Sequence, residues 1–191
     1  MNYDIVIDIE NFEDLKKKGW KIEMNEKGNQ KYEYFIKRGK KLNRVGILGG
    51  GNVGKTFILH KLLGKQYNDK IKTRGISVIY PEIFEKDNFF VYLDTCNILN
   101  TSLFAKNLTQ EEVFNLSDKE RLNYMKYLIK DKKSRNIFIQ DFIIQKSNIL
   151  IIVVNQLSFK DQNFLNRLKY NLNFDLMLII HNLQFFCKKN N

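Results

Sequence analysis

Residues 44–64, RVGILGGGNVGKTFILHKLLG, decide how the rest of the chain is read. Their centre, Gly49-Gly50-Gly51-Asn52-Val53-Gly54-Lys55-Thr56, fits the phosphate-binding pattern G-x-x-x-x-G-K-[ST] in full. Val45 to Leu48 is a short apolar run that predicts a buried strand. Phe57, Ile58, Leu59, Leu62 and Leu63 then recur at helical spacing, and Gly64 stands where a helix should stop. Glycines let the backbone turn tightly and approach an anion with no Cβ in the way. Successive N–H groups and the positive end of the following helix wrap that anion. The alternative is an ordinary glycine-rich strand-to-helix turn. Strand, loop and helix in this order favour the phosphate reading, with Gly49, Gly51, Asn52, Val53, Gly54, Lys55, Thr56 and Phe57 as the binding residues. Lys55 reaches the β- and γ-phosphates in such a site, and the Thr56 hydroxyl binds Mg²⁺.

Around this loop the chain has 191 residues, enough for one domain with a sizeable core. A hydrophobic share of 43% and an aromatic share of 13% suit a folded globular protein. The net charge of +11 comes from 32 Lys and Arg against 21 Asp and Glu, and the basic residues are scattered among acids. That pattern predicts a solvated surface; without a basic stripe or a recognition motif, nucleic acid is not an expected partner. Cys96 and Cys187 lie far apart and show no metal spacing, which favours a reducing setting. The first ten residues are acidic and lack a signal-peptide pattern, and the greasy runs 149–154 and 176–180 are strand-length, too short to span a bilayer. A cytoplasmic protein is expected.

Residues 1–43 differ in pattern from the remainder of the chain and predict an N-terminal extension: a short amphipathic helix over 9–18, stopped by Gly19, then a hairpin of 21–24 with 31–36. Trp20, Tyr32, Tyr34 and Phe35 would anchor it to the main domain or serve a partner, core packing being the expected role. Beyond the phosphate loop, strands are predicted at 76–80 and 89–93 and helices at 110–130 and 134–145. The first of these helices starts at a Thr109–Glu112 capping-box spacing. A fully apolar strand at 149–154, a helix at 159–172 and a second apolar strand at 176–180 complete the pattern. Apolar strands alternating with helices mean a largely parallel sheet covered on both faces.

Asp94 ends the strand FFVYLD. An acid at the carboxyl end of a hydrophobic strand, downstream of a phosphate loop, is placed to hold Mg²⁺ or its water beside Thr56. Thr73, in a polar loop containing Gly75, is placed to fold over a γ-phosphate and complete the metal shell, which is the logic of a nucleotide-dependent switch loop. The expected metal set is Thr56, Thr73 and Asp94, with Lys55 and Thr73 as the catalytic pair.

These motifs together resemble the GTPases of the translation-factor-related P-loop class, which includes Ras-like, septin, dynamin and guanylate-binding proteins. GGGNVGKT is similar to the phosphate loops of that class, TRGISV (73–78) to the switch-I segment of atlastins and guanylate-binding proteins, and Leu93-Asp94-Thr95 to the start of the D-x-x-G motif. The resemblance spans roughly residues 44–183 and implies a P-loop three-layer α/β sandwich. Four departures accompany it. Asn97 replaces the D-x-x-G glycine; Ile98 stands in place of a water-orienting Gln; and Asn52 stands in place of a loop arginine finger, with Arg74 the remaining candidate. In place of N-K-x-D the fifth strand ends in His181-Asn182-Leu183-Gln184, with His181 expected to pack at the strand end and Asn182 to contact base or loop. The earlier Val154-Asn155-Gln156-Leu157 also lacks the Asp. After residue 182 the sequence leaves no room for the closing helix, strand and helix of that class. The last apolar strand is therefore expected at a poorly covered sheet edge, the expectation being an incomplete gene product and the alternative a protein partner that covers the edge.

The resulting expectation is an extension (1–43) followed by a G-like domain (44–191) lacking its last helix-strand-helix. That domain binds a purine nucleoside triphosphate, GTP in preference to ATP, with Mg²⁺ and hydrolyses it slowly if at all. The rival expectations are a degenerate, non-cycling interaction module and an ATP-using P-loop enzyme.

Overall fold

The computed structural model describes residues 3–8, 11–66, 73, 75–83, 89–96, 110–155, 157–169 and 176–182. Its centre is β3 (Asn43–Gly49), the strand that feeds the phosphate loop. Val45 and Ile47 point into one hydrophobic cluster with Val53, Leu59, Ile151 and Val153. Leu48 points into a larger one with Ile143, Leu150 and Ile152. Alternation sends successive side chains to opposite faces, so a strand buried on both sides must be apolar where it is buried, as β3 is from Val45 to Leu48.

A seven-stranded sheet is built around it in the order β2-β1-β4-β5-β3-β6-β7. The core is parallel: β3 pairs with β5 (Phe90–Thr95) on one side and with β6 (Ile149–Val154) on the other, and β6 pairs with β7 (Leu176–His181). An antiparallel wing adds β4 (Ile76–Ile79), β1 (Ile5–Asp8) and β2 (Lys21–Met24). Helix α3 (Lys55–Leu62) comes directly after the phosphate loop, and α5 (Asp118–Lys146) packs along β3. The P-loop α/β architecture read from the sequence is the one observed, with a mostly parallel core.

Three local expectations are corrected. First, the N-terminal strand pair is not 21–24 with 31–36: β2 pairs with β1, and 31–36 is helical, divided between α2 (Glu26–Tyr32) and a π-helical turn over Glu33–Lys37. Asn25 caps α2 by accepting from the Gly28 N–H, and Lys31 and Phe35, four residues apart, are buried. Tyr32, Phe35 and Ile36 keep helical spacing, which prevails over the apparent alternation. Second, the helices at 110–130 and 134–145 are not divided there. A short α4 (Gln110–Phe114) ends early, and α5 runs unbroken for 29 residues from a Ser117–Glu120 capping box. No Gly or Pro interrupts residues 130–134, and an Asp131–Arg135 ion pair of 2.8 Å bridges that point. Third, helix α1 begins at Phe12 (Phe12–Lys18) instead of at residue 9, while α6 spans Phe159–Lys169 among the described residues. The last apolar strand lies, as expected, at the edge of the described sheet, with Leu176, Leu178 and Ile179 of β7 exposed.

Trp20 and Phe35 pack against aromatics of the region beyond residue 43. Trp20 meets Phe138 and Phe142 of α5 at 5.2 and 5.5 Å, and Phe35 lies between Tyr80 and Phe89. No helix among the described residues is long and apolar enough to cross a membrane. Cys96 is a free thiol, and Cys187 is outside the described residues.

Candidate functional site

The loop between β3 and α3 has the backbone its composition demands. Gly49 has φ 155°, and a Cβ there would stand 2.3 Å from the Val153 carbonyl oxygen. Gly54, the residue before α3, has φ 92°, and a Cβ there would stand 2.5 Å from the Asn182 amide. Neither position admits a side chain. Asn52 takes φ 58°, a left-handed conformation that Asn tolerates better than most residues.

Lys55, the first residue of α3, is only 5% exposed. Its ammonium donates to the carbonyls of Gly49 (3.1 Å) and Gly50 (2.7 Å), so the cation lies along the loop instead of in solvent. Burial pushes its pKa down, and the Asp94 charge opposes that shift. A buried ammonium held by carbonyls is poised to exchange them for phosphate oxygens, which are stronger acceptors.

Across from it, four side-chain oxygens converge. Asp94, fully buried near the end of β5, accepts at Oδ2 from Thr56 (3.1 Å), Thr73 (3.1 Å) and Tyr3 (2.9 Å). The two threonine hydroxyls lie 3.2 Å apart, and Tyr3 Oη is 2.8 Å from Thr73 Oγ1. Burial raises the Asp94 pKa; the Tyr3 hydroxyl, Lys55 and the two threonines pull it back. Burial and the Asp94 charge both raise the Tyr3 phenol. Asp94 Oδ1 is buried without a hydrogen-bond partner among the described residues. A buried carboxylate with an unused oxygen is costly unless something occupies it.

That arrangement fits Mg²⁺. Thr56 Oγ1, Thr73 Oγ1 and Asp94 Oδ2 form a triangle with edges of 3.2, 3.1 and 3.1 Å. Neighbouring oxygens of an octahedral shell at about 2.1 Å from the ion lie ~3.0 Å apart. Oxygen donors are the right chemistry for a hard cation, and no cluster of three His, Cys, Asp or Glu competes among the described residues.

The sequence-derived site residues thus come together from three segments: Lys55 and Thr56 on α3, Thr73 ahead of β4, and Asp94 on β5. Of the other loop residues, Gly51 is half-buried and Asn52 is exposed. Val53 sends its side chain into the core, and its carbonyl accepts from Asn182 Nδ2 at 2.8 Å. The Phe57 ring lies under Lys61, 5.5 Å from its ammonium. Asn182 therefore contacts the loop, one of the two roles expected of it. His181 departs from expectation: it is exposed, because β7 is an edge strand without cover at that end. Arg74, Asn97, Ile98, Thr109, Gln156 and residues 183–191 lie outside the described residues.

Two features escaped the sequence reading. Tyr3 sits within the oxygen cluster. The β-branched Ile5-Val6-Ile7 signals the strand that carries it, but a single tyrosine has no spacing to reveal its role. Gln140 of α5 and Arg167 of α6 line a cavity with Gly49 and Gly50, supplying an amide and a guanidinium where the sequence offered neither.

No family model matches the chain. A curated protein described as a heat shock protein of Dictyostelium discoideum is 24% identical over 203 residues, and the chain covers 27% of its length. Among solved structures the chain is similar to Aquifex aeolicus Era bound to GDP and AlF4⁻, at 17% identity and TM-score 0.48, over 76% of this chain and 42% of that one. Era with MgGDPNP and a 16S ribosomal RNA segment overlaps at 18% identity and TM-score 0.42, over 73% and 40%. The G domain of the T. maritima FeoB iron transporter overlaps at 15% identity and TM-score 0.40, over 79% and 78%. The fold assignment rests on the chain's own strand order: four parallel strands with the phosphate-loop strand inside them, and an antiparallel strand beyond β5. The chain has a P-loop α/β fold with a mostly parallel core.

Proposed function

We propose that this chain binds a purine nucleoside triphosphate, GTP in preference to ATP, together with Mg²⁺, and that binding rather than rapid turnover is its activity. One observation supports this above the others: Thr56, Thr73 and Asp94, distant in sequence, meet at hydrogen-bond distances beside a glycine-built loop whose lysine is buried. Loop amides and Lys55 bind the phosphates, and Lys55 neutralises charge that develops on the γ-phosphate. Thr56, Thr73 and Asp94 would hold Mg²⁺, which would neutralise phosphate charge. Thr73 also reports the γ-phosphate, the action of a switch loop. The preference for GTP rests on the family resemblance. On this reading residues 44–191 form the nucleotide-binding region, residues 1–43 an extension built onto its sheet, and the cytoplasm is the setting.

Titration calorimetry with GTP, ATP and their diphosphates, with and without Mg²⁺, tests the proposal. GTP with Mg²⁺ should bind tightest, and Mg²⁺ removal should weaken it. No heat with any nucleotide would overturn the reading. A second reading, a non-cycling interaction module, is favoured by the exposed apolar strand β7, which among the described residues is an edge strand open to a protein partner. Tight binding without single-turnover hydrolysis supports that version.

A further inference from the structure

We propose that Tyr3 is a positioning residue of the nucleotide site: its phenol holds Thr73 and Asp94 in the arrangement that receives the cation and the terminal phosphate. The inference rests on the nucleotide-site reading above and deepens it.

Position is the first support. Tyr3 comes from the antiparallel wing, 91 positions from Asp94 in sequence and 70 from Thr73, yet its Oη lies 2.9 Å from the Asp94 carboxylate and 2.8 Å from the Thr73 hydroxyl. Of the two oxygen contacts of Thr73 with hydroxyls, the one to Tyr3 is shorter than the 3.2 Å to Thr56. Thr73 is the member of the site that stands ahead of a strand rather than within an element, so it gains most from an external tether.

Anchoring is the second. The Tyr3 carbonyl accepts from Asn25 Nδ2 at 2.6 Å. The next residue, Asp4, donates its N–H to Val78 and accepts at Oδ2 from the Tyr80 N–H (2.8 Å) and from Lys31 (3.3 Å). Asp4 and Lys31 are both buried. β1 is then zipped onto β4 with Ile5 opposite Val78. A phenol fixed by its own backbone and by a buried ion pair one residue away is a rigid donor. It holds its partners without the ordering cost that a mobile side chain would add.

Chemistry is the third. Asp94 Oδ2 has three hydroxyl neighbours, and two of them, Thr56 and Thr73, are the groups that would turn their oxygens to the cation. With the cation bound, Tyr3 donates to Asp94 and accepts the single proton of Thr73, while Thr56 gives its proton to the carboxylate, so the lone pairs of both threonines are left to ligate. Tyr3 lies outside the ligand triangle, so it orients Thr73 and the carboxylate without using a ligand position. Its contribution is felt when Mg²⁺ is bound and is absent when the site holds only the nucleotide's α- and β-phosphates on the loop.

The test is GTP affinity of the full chain, measured by calorimetry at saturating Mg²⁺ and again with Mg²⁺ chelated, for wild type and Tyr3→Phe. One hydrogen bond to a charged group corresponds to a loss of about ten-fold or more when removed. Tyr3→Phe should lose about that factor at saturating Mg²⁺ and retain wild-type affinity in chelator. In an Asp94→Asn background Tyr3→Phe should cause no further loss, because the two act as one unit. If Tyr3→Phe does not fold, Asn25→Asp, which keeps the α2 cap acceptor and the phenol but no longer donates to the Tyr3 carbonyl, should give the same selective loss in smaller degree. Equal losses in both conditions, unchanged affinity at saturating Mg²⁺, or tighter Mg²⁺-dependent binding would each overturn the proposal. Lys55→Ala separates the two failures. If that variant binds as wild type, the nucleotide site itself is wrong; if it loses binding while Tyr3→Phe matches wild type, only the role of Tyr3 is wrong.

Discussion

The two sides of strand β3 put similar materials to opposite uses. Toward β5, β4 and β1 the structure buries polar groups: Asp94, Lys55, Asp4, Lys31 and Thr95 all lie in the interior. Toward β6 and β7 it exposes apolar ones: five of the six residues of β7 are apolar, yet Leu176, Leu178 and Ile179 face solvent. Burial of charge is unfavourable unless the groups are paired, and exposure of an apolar edge forfeits hydrophobic stabilisation. A fold selected for stability alone would do neither. On the proposed reading Asp94 and Lys55 serve the phosphate and cation site, Asp4 and Lys31 anchor the neighbouring wing, and β7 is the edge offered to another chain.

The largest effect on stability is expected on the polar side. Lys31→Ala leaves the Asp4 carboxylate buried without its cation, and breaking a buried pair in this way costs about 3–5 kcal/mol. Denaturant unfolding would show it as a large fall in midpoint; a change under about 1 kcal/mol would mean that the pair is solvated and the contrast between the two sides overstated.

The apolar side gives the next test. Ile152 in β6 is 0% exposed and Ile179, its register partner in β7, is 51% exposed. Ile152→Ala should cost about 2–5 kcal/mol, and Ile179→Ala less than about 1 kcal/mol. Equal costs would show β7 to be covered in solution and remove the asymmetry.

A smaller effect returns to Asp94. Its desolvated carboxylate opposes folding, so Asp94→Asn should raise the melting temperature of the nucleotide-free protein by about 2–4 °C while removing the dependence of GTP binding on Mg²⁺. A lower melting temperature, or retained Mg²⁺ dependence, would show the carboxylate to be a structural acceptor instead.

Legibility of these features in the sequence depends on the range of the interactions. Local signals carried well. The glycine loop, the change to helical spacing after Lys55, and the apolar runs at 149–154 and 176–180 each fix an element by their own residues, and they led to the observed parallel core. Thr56, Thr73 and Asp94 were legible because a known loop gives a frame in which strand ends have meaning. The hairpin at 31–36 misled because Lys31-Tyr32-Glu33-Tyr34-Phe35-Ile36 satisfies a two-residue and a helical period at once. Burial of Lys31 against Asp4, 27 residues away, decides between them. The continuity of α5 is a local feature, crossed by the i,i+4 pair Asp131–Arg135, whereas the place of Tyr3 depends on a contact with Asp94, 91 residues away. Contacts of that span leave no periodic trace.

On the proposed reading the loop around Lys55 grips a nucleoside triphosphate with Mg²⁺. Calorimetric titration of GTP with Mg²⁺ into wild type and Lys55→Ala tests that grip at its centre, the variant's fold being checked by its circular dichroism spectrum. Saturable binding to wild type and none to a folded Lys55→Ala is the predicted result. Equal affinity for the two, or no binding to wild type, would contradict it.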